Sequence, residues 1–250
     1  MALLVIVLCL LSERFWAHAR VHQRFHWFIA YGARLSFSLR SMFSRMPSWG
    51  ILAGVVLPIL LVAMFVLHMV DHALFGVIGL LCSLAIFYYC LGPVNPFYPA
   101  HEKGKSDLTN EDLGAYLVAV NGQLFAVLFW YIVAGPIGIM AYRLISLACN
   151  LSPVRREASL LTDILDWMPV RMTALLYLLV GHFQAGLSVY RKQFFSRPSQ
   201  NSAFLSDCGI AAMNLEHHKK KSMRSAERLV EHATIVFLLL LALCTLVTWF

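Results

Sequence analysis

The sequence predicts an all-α polytopic membrane protein with four to five transmembrane helices and basic cytoplasmic segments. Three observations carry that reading. Of 250 residues, 60% are hydrophobic and only 13% charged, about half the charge of an ordinary soluble domain, and the mean hydropathy is +0.70. That is too little polar side chain to clothe a soluble surface, so the excess faces lipid. Several uncharged runs reach about the 20 residues a helix needs to cross hydrocarbon. Finally, the formal net charge of +7 gathers in two of the intervening segments, as the positive-inside rule expects. The charge is read as attraction to the anionic lipids of the cytoplasmic leaflet, and nucleic acid is not expected as a partner.

The chain divides into five segments. Residues 1–49 form a short N-terminal anchor followed by a basic amphipathic cytoplasmic stretch. Residues 1–11 are apolar, yet no Lys or Arg precedes them, and Glu13, Arg14, Phe15 and Trp16 intervene before Ala17 and Ala19. An uncleaved anchor is expected there, not a signal peptide. Between Arg20 and Arg45, His and aromatic residues interleave with Arg, the pattern of a helix lying on a membrane surface.

Residues 50–91 read as a transmembrane hairpin: 50–70 and 73–91 carry no charge, and Asp71 with His72 makes the turn. Residues 92–190 form the membrane core. Pro93, Pro96 and Pro99 bar a helix just after the hairpin, because each holds its predecessor extended. Thr109 followed by Asp112 has the form of a capping box. Residues 115–142 are apolar apart from Asn121 and Gln123, and contain Gly135 and Pro136; residues 172–190 hold His182 and Gln184. Each of these two stretches either crosses or dips and returns. If both cross there are five spans, and if both dip there are three. Residues 191–232 are a basic cytoplasmic loop, with 196–207 polar and loop-like, and 233–250 are a C-terminal span.

The six cysteines (Cys9, Cys82, Cys90, Cys149, Cys208 and Cys244) show no CxxC pair and no zinc spacing. They read as small buried hydrophobes. No nucleotide, metalloprotease or nucleophile-elbow motif occurs, and no cofactor is expected.

The densest polar grouping runs from Thr162 through Asp163, Asp166, Trp167, Pro169 and Arg171. One helical turn separates the two aspartates. They could hold Mg²⁺ and through it a phosphate, with Arg171 meeting an anion bidentately. The alternative is a membrane-entry turn in which Trp167 anchors, Pro169 opens the next helix and Arg171 snorkels. In either case Asp163, Asp166 and Arg171 should face protein or an enclosed polar cleft, since a lipid-facing carboxylate is costly, and at least one aspartate is expected to pair with Arg171 or Arg143. Arg143 ends its span, where it reaches headgroups. Asn121 suits an interhelical hydrogen bond or the lining of a cavity. The run His217-His218-Lys219-Lys220-Lys221 attracts anionic lipid.

The stretch from Leu128-Phe129-Trp130-Tyr131 through Gly135-Pro136-Ile137-Gly138 to Ala141-Tyr142-Arg143, followed by Asp163-Ile164-Leu165-Asp166-Trp167-Met168-Pro169-Val170-Arg171, resembles the AmpE proteins of the bacterial inner membrane. It is distantly similar to the CbiB/CobD proteins of cobalamin biosynthesis, which join an aminopropanol group to the corrinoid ring. The first resemblance implies a regulatory modulator of β-lactamase induction and envelope response, with partners among membrane and cell-wall-recycling proteins. The second implies an amide-forming synthase. The synthases carry acidic residues shortly before the Leu-Phe stretch, and residues 115–125 hold none. A transporter component is a third reading, since Asn121, Gln123 and Pro136 sit where a broken helix would.

Overall fold

The computed structural model describes residues 26–42, 47–73, 77–91, 109–213 and 223–247, and every regular element in them is helical. In chain order these are α1 (His26–Met42), α2 (Ser48–Ala73), α3 (Val77–Cys90), α4 (Asn110–Val120), a π-helical turn (Asn121–Phe125), α5 (Ala126–Ala148), α6 (Arg155–Val180), α7 (Phe183–Gln193), α8 (Asn201–Ala212) and α9 (Met223–Val247). Short 3₁₀ turns precede α6 and α8. Residues 1–25 and the run from His217 to Lys221, with the anchor and lipid-binding expectations placed on them, lie outside the described residues.

Three helical segments among the described residues are long and apolar enough to cross a membrane: Ser48–Met69, Asn110–Ala148 and Met223–Val247. Leu81–Cys90 is apolar but shorter. The protein is an all-α membrane protein. The chain forms two compact units. The first combines Met1–Pro93 with Val127–Leu165, and the second Val94–Ala126 with Asp166–Phe250.

In the first unit, Phe28, Ile51, Leu52, Val55, Leu144, Ala148, Val154 and Ala158 make one buried cluster. Phe87 on α3 meets Tyr131 edge to face at 4.9 Å. Asp71 and His72 do not turn the chain, because α2 stays helical through Ala73. Nor does Arg143 reach headgroups. The helix continues five residues past it to Ala148, and Arg143 is buried within the unit.

Gly135 interrupts α5 with φ 67° and ψ −158°, immediately before Pro136. An L-residue disfavours that backbone, and a proline steers its predecessor away from helix. Glycine resolves both constraints.

In the second unit, Thr109 caps α4 as the sequence predicts. Its Oγ1 accepts from the Asp112 amide at 3.2 Å, and its own amide donates to the Asp112 carboxylate at 3.1 Å. Helices α4 and α8 approach closely, each placing a glycine against a side chain of the other. A Cβ on Gly114 would fall 1.9 Å from Ser206 Oγ, and one on Gly209 would fall 2.4 Å from Leu117 Cδ1. Phe125 meets Tyr177 and Phe237 edge to face at 5.9 and 6.3 Å, which brings α6 and α9 onto the π-helical turn.

One stretch whose course the sequence left open, and one it read as loop throughout, take shapes set by packing. Residues 172–190 are not one helix. Helix α6 stops at Val180, His182 caps α7 by accepting from the Ala185 amide at 3.3 Å, and the His182 amide donates to Ala212 O at 2.8 Å. A Cβ on Gly181 would lie 2.4 Å from that same carbonyl, so the backbone bends where only glycine admits the approach. Residues 196–207 are loop-like only as far as the short 3₁₀ turn at Pro198–Gln200. Asn201 opens α8, whose Phe204, Leu205, Cys208 and Ala212 form one buried face at helical spacing.

Candidate functional site

Asp163, Asp166, Trp167, Pro169 and Arg171 all ride on α6. Pro169 lies inside this helix and does not open a new one. A proline removes one rung of the helical ladder, and the helix keeps its course with Pro169 and Val170 buried. Asp163 and Asp166 are half-buried, one turn apart. Burial raises the pKa of the Asp163 carboxyl above the ordinary aspartate value. Among the described residues no group of three or more His, Cys, Asp or Glu side chains is placed to hold a metal ion.

Arg171 is the centre of the site. Its side chain is 2% exposed, and each of the five guanidinium N–H positions has an acceptor. Nε donates to Phe194 O at 3.1 Å. Nη1 donates to Trp167 O at 3.0 Å and to Asn201 Oδ1 at 2.6 Å. Nη2 donates to Ser196 O at 3.0 Å and Ser196 Oγ at 3.1 Å. The guanidinium lies 4.3 Å from the Trp167 ring centroid and 5.1 Å from that of Phe204, within cation–π range. Tyr190 Oη reaches the Arg171 carbonyl at 3.5 Å.

Arg171 therefore does not pair with either aspartate. Its hydrogen bonds go to carbonyls, a hydroxyl and an amide, all neutral. Burial lowers its pKa, but an arginine remains charged at any physiological pH. Such a cation is stable here because five dipoles and two π faces replace its water. It is a staple joining α6 to the turn after α7 and to the first residue of α8.

A second polar pair lies on the same helix. Thr173 Oγ1 donates to Asn121 Oδ1 at 2.8 Å, with both side chains buried. Asn121 begins the π-helical turn, and the Ala126 amide closes that turn onto Asn121 O. Tyr177, one turn beyond Thr173, points its hydroxyl at Leu117 O at 3.5 Å. Cys208 is buried close by, and desolvation pushes its thiol up to about 12, where it is unreactive as a nucleophile.

Of the residues singled out from the sequence, the structure joins Arg171 with Trp167 and sets Asn121 on Thr173. Arg143 belongs to the other unit. The partners that sequence reading passed over are Phe194, Ser196, Asn201, Phe204 and Thr173. The one available signal for them is the 3.6-residue spacing of Phe204, Leu205, Cys208 and Ala212, which marks 201–212 as a helix carrying Asn201 at its start.

Comparison with known proteins gives a partial likeness and a family. The cobalamin biosynthesis protein CobD of Chromobacterium violaceum is 32% identical over 108 residues, covering 39% of this chain and 35% of that protein. The CobD of Stutzerimonas stutzeri is 31% identical over 108 residues, covering 39% and 36%. The chain thus spans about a third of the length of these relatives. No solved structure matches. A family model described as "Regulatory signalling modulator protein AmpE" matches residues 99–249, a range that holds the Arg171 staple and the Asn121–Thr173 pair, and the chain belongs to the AmpE family.

Proposed function

We propose that this protein is a regulator of the bacterial inner membrane that modulates β-lactamase induction as part of a response to the state of the cell envelope. On this reading it crosses the membrane several times and works through anionic lipids and other membrane or cell-wall-recycling proteins. The observation that carries the reading is the family match over 99–249. The chemistry of the site supports it. Arg171 is the charge that the sequence pattern offers for clamping a substrate phosphate, and in the structure it is buried with all its donors engaged by neutral groups of the chain itself. Regulation needs a scaffold that partners can read. An amide synthase needs charge free to meet its substrate.

The likeness to CobD keeps one second reading in view, an amide-forming synthase of cobalamin biosynthesis built around Asp163 and Asp166. The two readings separate in one experiment. The gene is deleted in a host with an inducible β-lactamase, and enzyme activity is measured after a sub-inhibitory β-lactam. The regulatory reading expects induction to shift several-fold on deletion. It expects recovery with the native chain and equally with an Asp163→Asn/Asp166→Asn variant of matched abundance. Unchanged induction, together with Mg²⁺- and ATP-dependent amide formation by the purified chain that the double variant lacks, would replace it with the synthase.

A further inference from the structure

In the second unit, the turn that follows α7 presents Phe195 to the outside, 88% exposed. The ring beside it is held in place. Phe194 lies 4.9 Å from Phe195, 5.4 Å from Tyr190 and 6.3 Å from Trp167, centroid to centroid. A lone exposed apolar side chain is ordinary and needs no explanation. Two features set this one apart.

The first is rigidity. Arg171 grips the carbonyls of both Phe194 and Ser196, the residues on either side of Phe195, and also the Ser196 hydroxyl. The Ser196 amide closes the turn onto Gln193 O at 2.9 Å. A buried cation thus fixes the backbone from beneath while the aromatic ring it carries projects outward. The second is charge. Arg191 and Lys192 in the last turn of α7 and Arg197 just past Phe195 are all exposed. The nearby acid is Asp207 on α8, and its carboxylate accepts from Gln193 Nε2 at 3.2 Å.

A rigid apolar tip flanked along the chain by exposed cations has the chemistry of a lipid–water boundary, where an aromatic ring enters the headgroup region and Lys and Arg meet phosphate. We propose that the turn formed by residues 194–197, stapled by Arg171, is a membrane-surface anchor that docks on anionic phospholipid. The chain already resides in the membrane, so its local lipid concentration is high and a contact weak in itself is enough to hold the turn down. This rests on the lipid contact included in the reading above and names the surface that makes it, while β-lactamase induction and the test below can fail separately.

The test uses the full chain in nanodiscs, with 4-trifluoromethylphenylalanine in place of Phe195 read by ¹⁹F NMR. A water-soluble gadolinium chelate and a lipid-borne nitroxide report which side of the boundary the ring occupies. In discs containing about one-third phosphatidylglycerol, a composition chosen for the surface potential that anionic lipid creates, the ring should be broadened by the nitroxide and protected from the chelate. In pure phosphatidylcholine the protection should fall several-fold. The Arg191→Gln/Lys192→Gln/Arg197→Gln variant, altered only at exposed positions, should keep native thermal unfolding. It should lose protection by at least tenfold in the anionic discs, since each charge near such a surface is worth roughly fivefold. Equal access of the chelate in both lipids would overturn the proposal. Protection that follows the number of protein copies per disc and ignores lipid charge would overturn it too, assigning the tip to a second copy of the chain.

Discussion

Arg171 and the Gly135–Pro136 step interrupt the apolar pattern in opposite ways. At Arg171 the helix is unbroken, and tertiary partners 23 to 30 residues away bring acceptors to a buried charge. At Gly135 the backbone itself gives way, at φ 67°, and a Cβ placed there would meet nothing within 4 Å. One position is specified by its surroundings and the other by its own conformation. Pro169 sharpens the point. It follows Met168, which stays helical, and α6 runs straight through. A proline alone costs a helix one hydrogen bond, whereas a glycine before it supplies the left-handed geometry that turns a missing rung into a break.

The comparison is sharpened most by removing the staple. Arg171→Ala leaves Asn201, the Ser196 hydroxyl and three backbone carbonyls without their charged donor, and hydrogen bonds to charged groups contribute about 1.5–3 kcal/mol each. The expected loss is at least ~3 kcal/mol, seen as a lower unfolding temperature in detergent and lower abundance in cells. Arg171→Lys should recover only part of it, because an ammonium cannot reproduce the planar fork.

Next in size is the Asn121–Thr173 pair. Asn121→Ala strands a buried hydroxyl and should cost about 1–2 kcal/mol. The Asn121→Leu/Thr173→Val double variant, with no polar group left to satisfy, should be nearer the native protein than either single change. A thermal double-mutant cycle decides this, and strictly additive losses would mean the two side chains do not act together.

Gly135→Ala is expected to cost ~1–2 kcal/mol through conformation alone. Adding Pro136→Ala should return much of that, since residue 135 is then free to become helical. If the steric surroundings mattered instead, the second change would bring no recovery.

The smallest effect is electrostatic. Burial raises the pKa of Asp163 in the folded chain above its unfolded value, so the folded state holds this proton more tightly. Asp163 should therefore weaken the fold as pH rises from the ordinary aspartate range through the raised folded value. Asp163→Asn should flatten stability against pH in that window and leave it unchanged well below. A variant as pH-sensitive as the native chain would place the titration elsewhere.

The parts of this fold that sequence made legible are local. The capping box at Thr109 needs only Asp112, three residues on. The membrane class follows from composition, and the helical break from the adjacent Gly135 and Pro136. What sequence did not reveal depends on distant backbone. Hydropathy across 172–190 carries no trace of Ala212 O, the acceptor that receives the His182 amide where α6 ends. The aspartates looked like the natural counter-ions for Arg171 because they share its helix, yet the acceptors come from Phe194, Ser196 and Asn201. The polar look of 201–207 arises from the solvent face of α8, and its buried face shows only when counted at helical spacing. Charge marks boundaries in hydropathy, so Arg143 reads as the end of a span, while the helix has five more residues to run.

The account rests on Arg171 being engaged within the protein, where it holds the 194–196 turn and offers no charge to a substrate. Amide hydrogen exchange at Ser196, in the full chain in nanodiscs, tests this most directly, because that amide is protected only while the turn stays closed. Arg171→Lys should speed exchange at Ser196 by about tenfold, the equivalent of ~1.4 kcal/mol of lost closure. Millimolar phosphate or Mg²⁺ with ATP should leave the native rate untouched. An unchanged rate in the variant, or slower exchange in the native chain when phosphate is added, would contradict the account and make Arg171 an anion-binding residue.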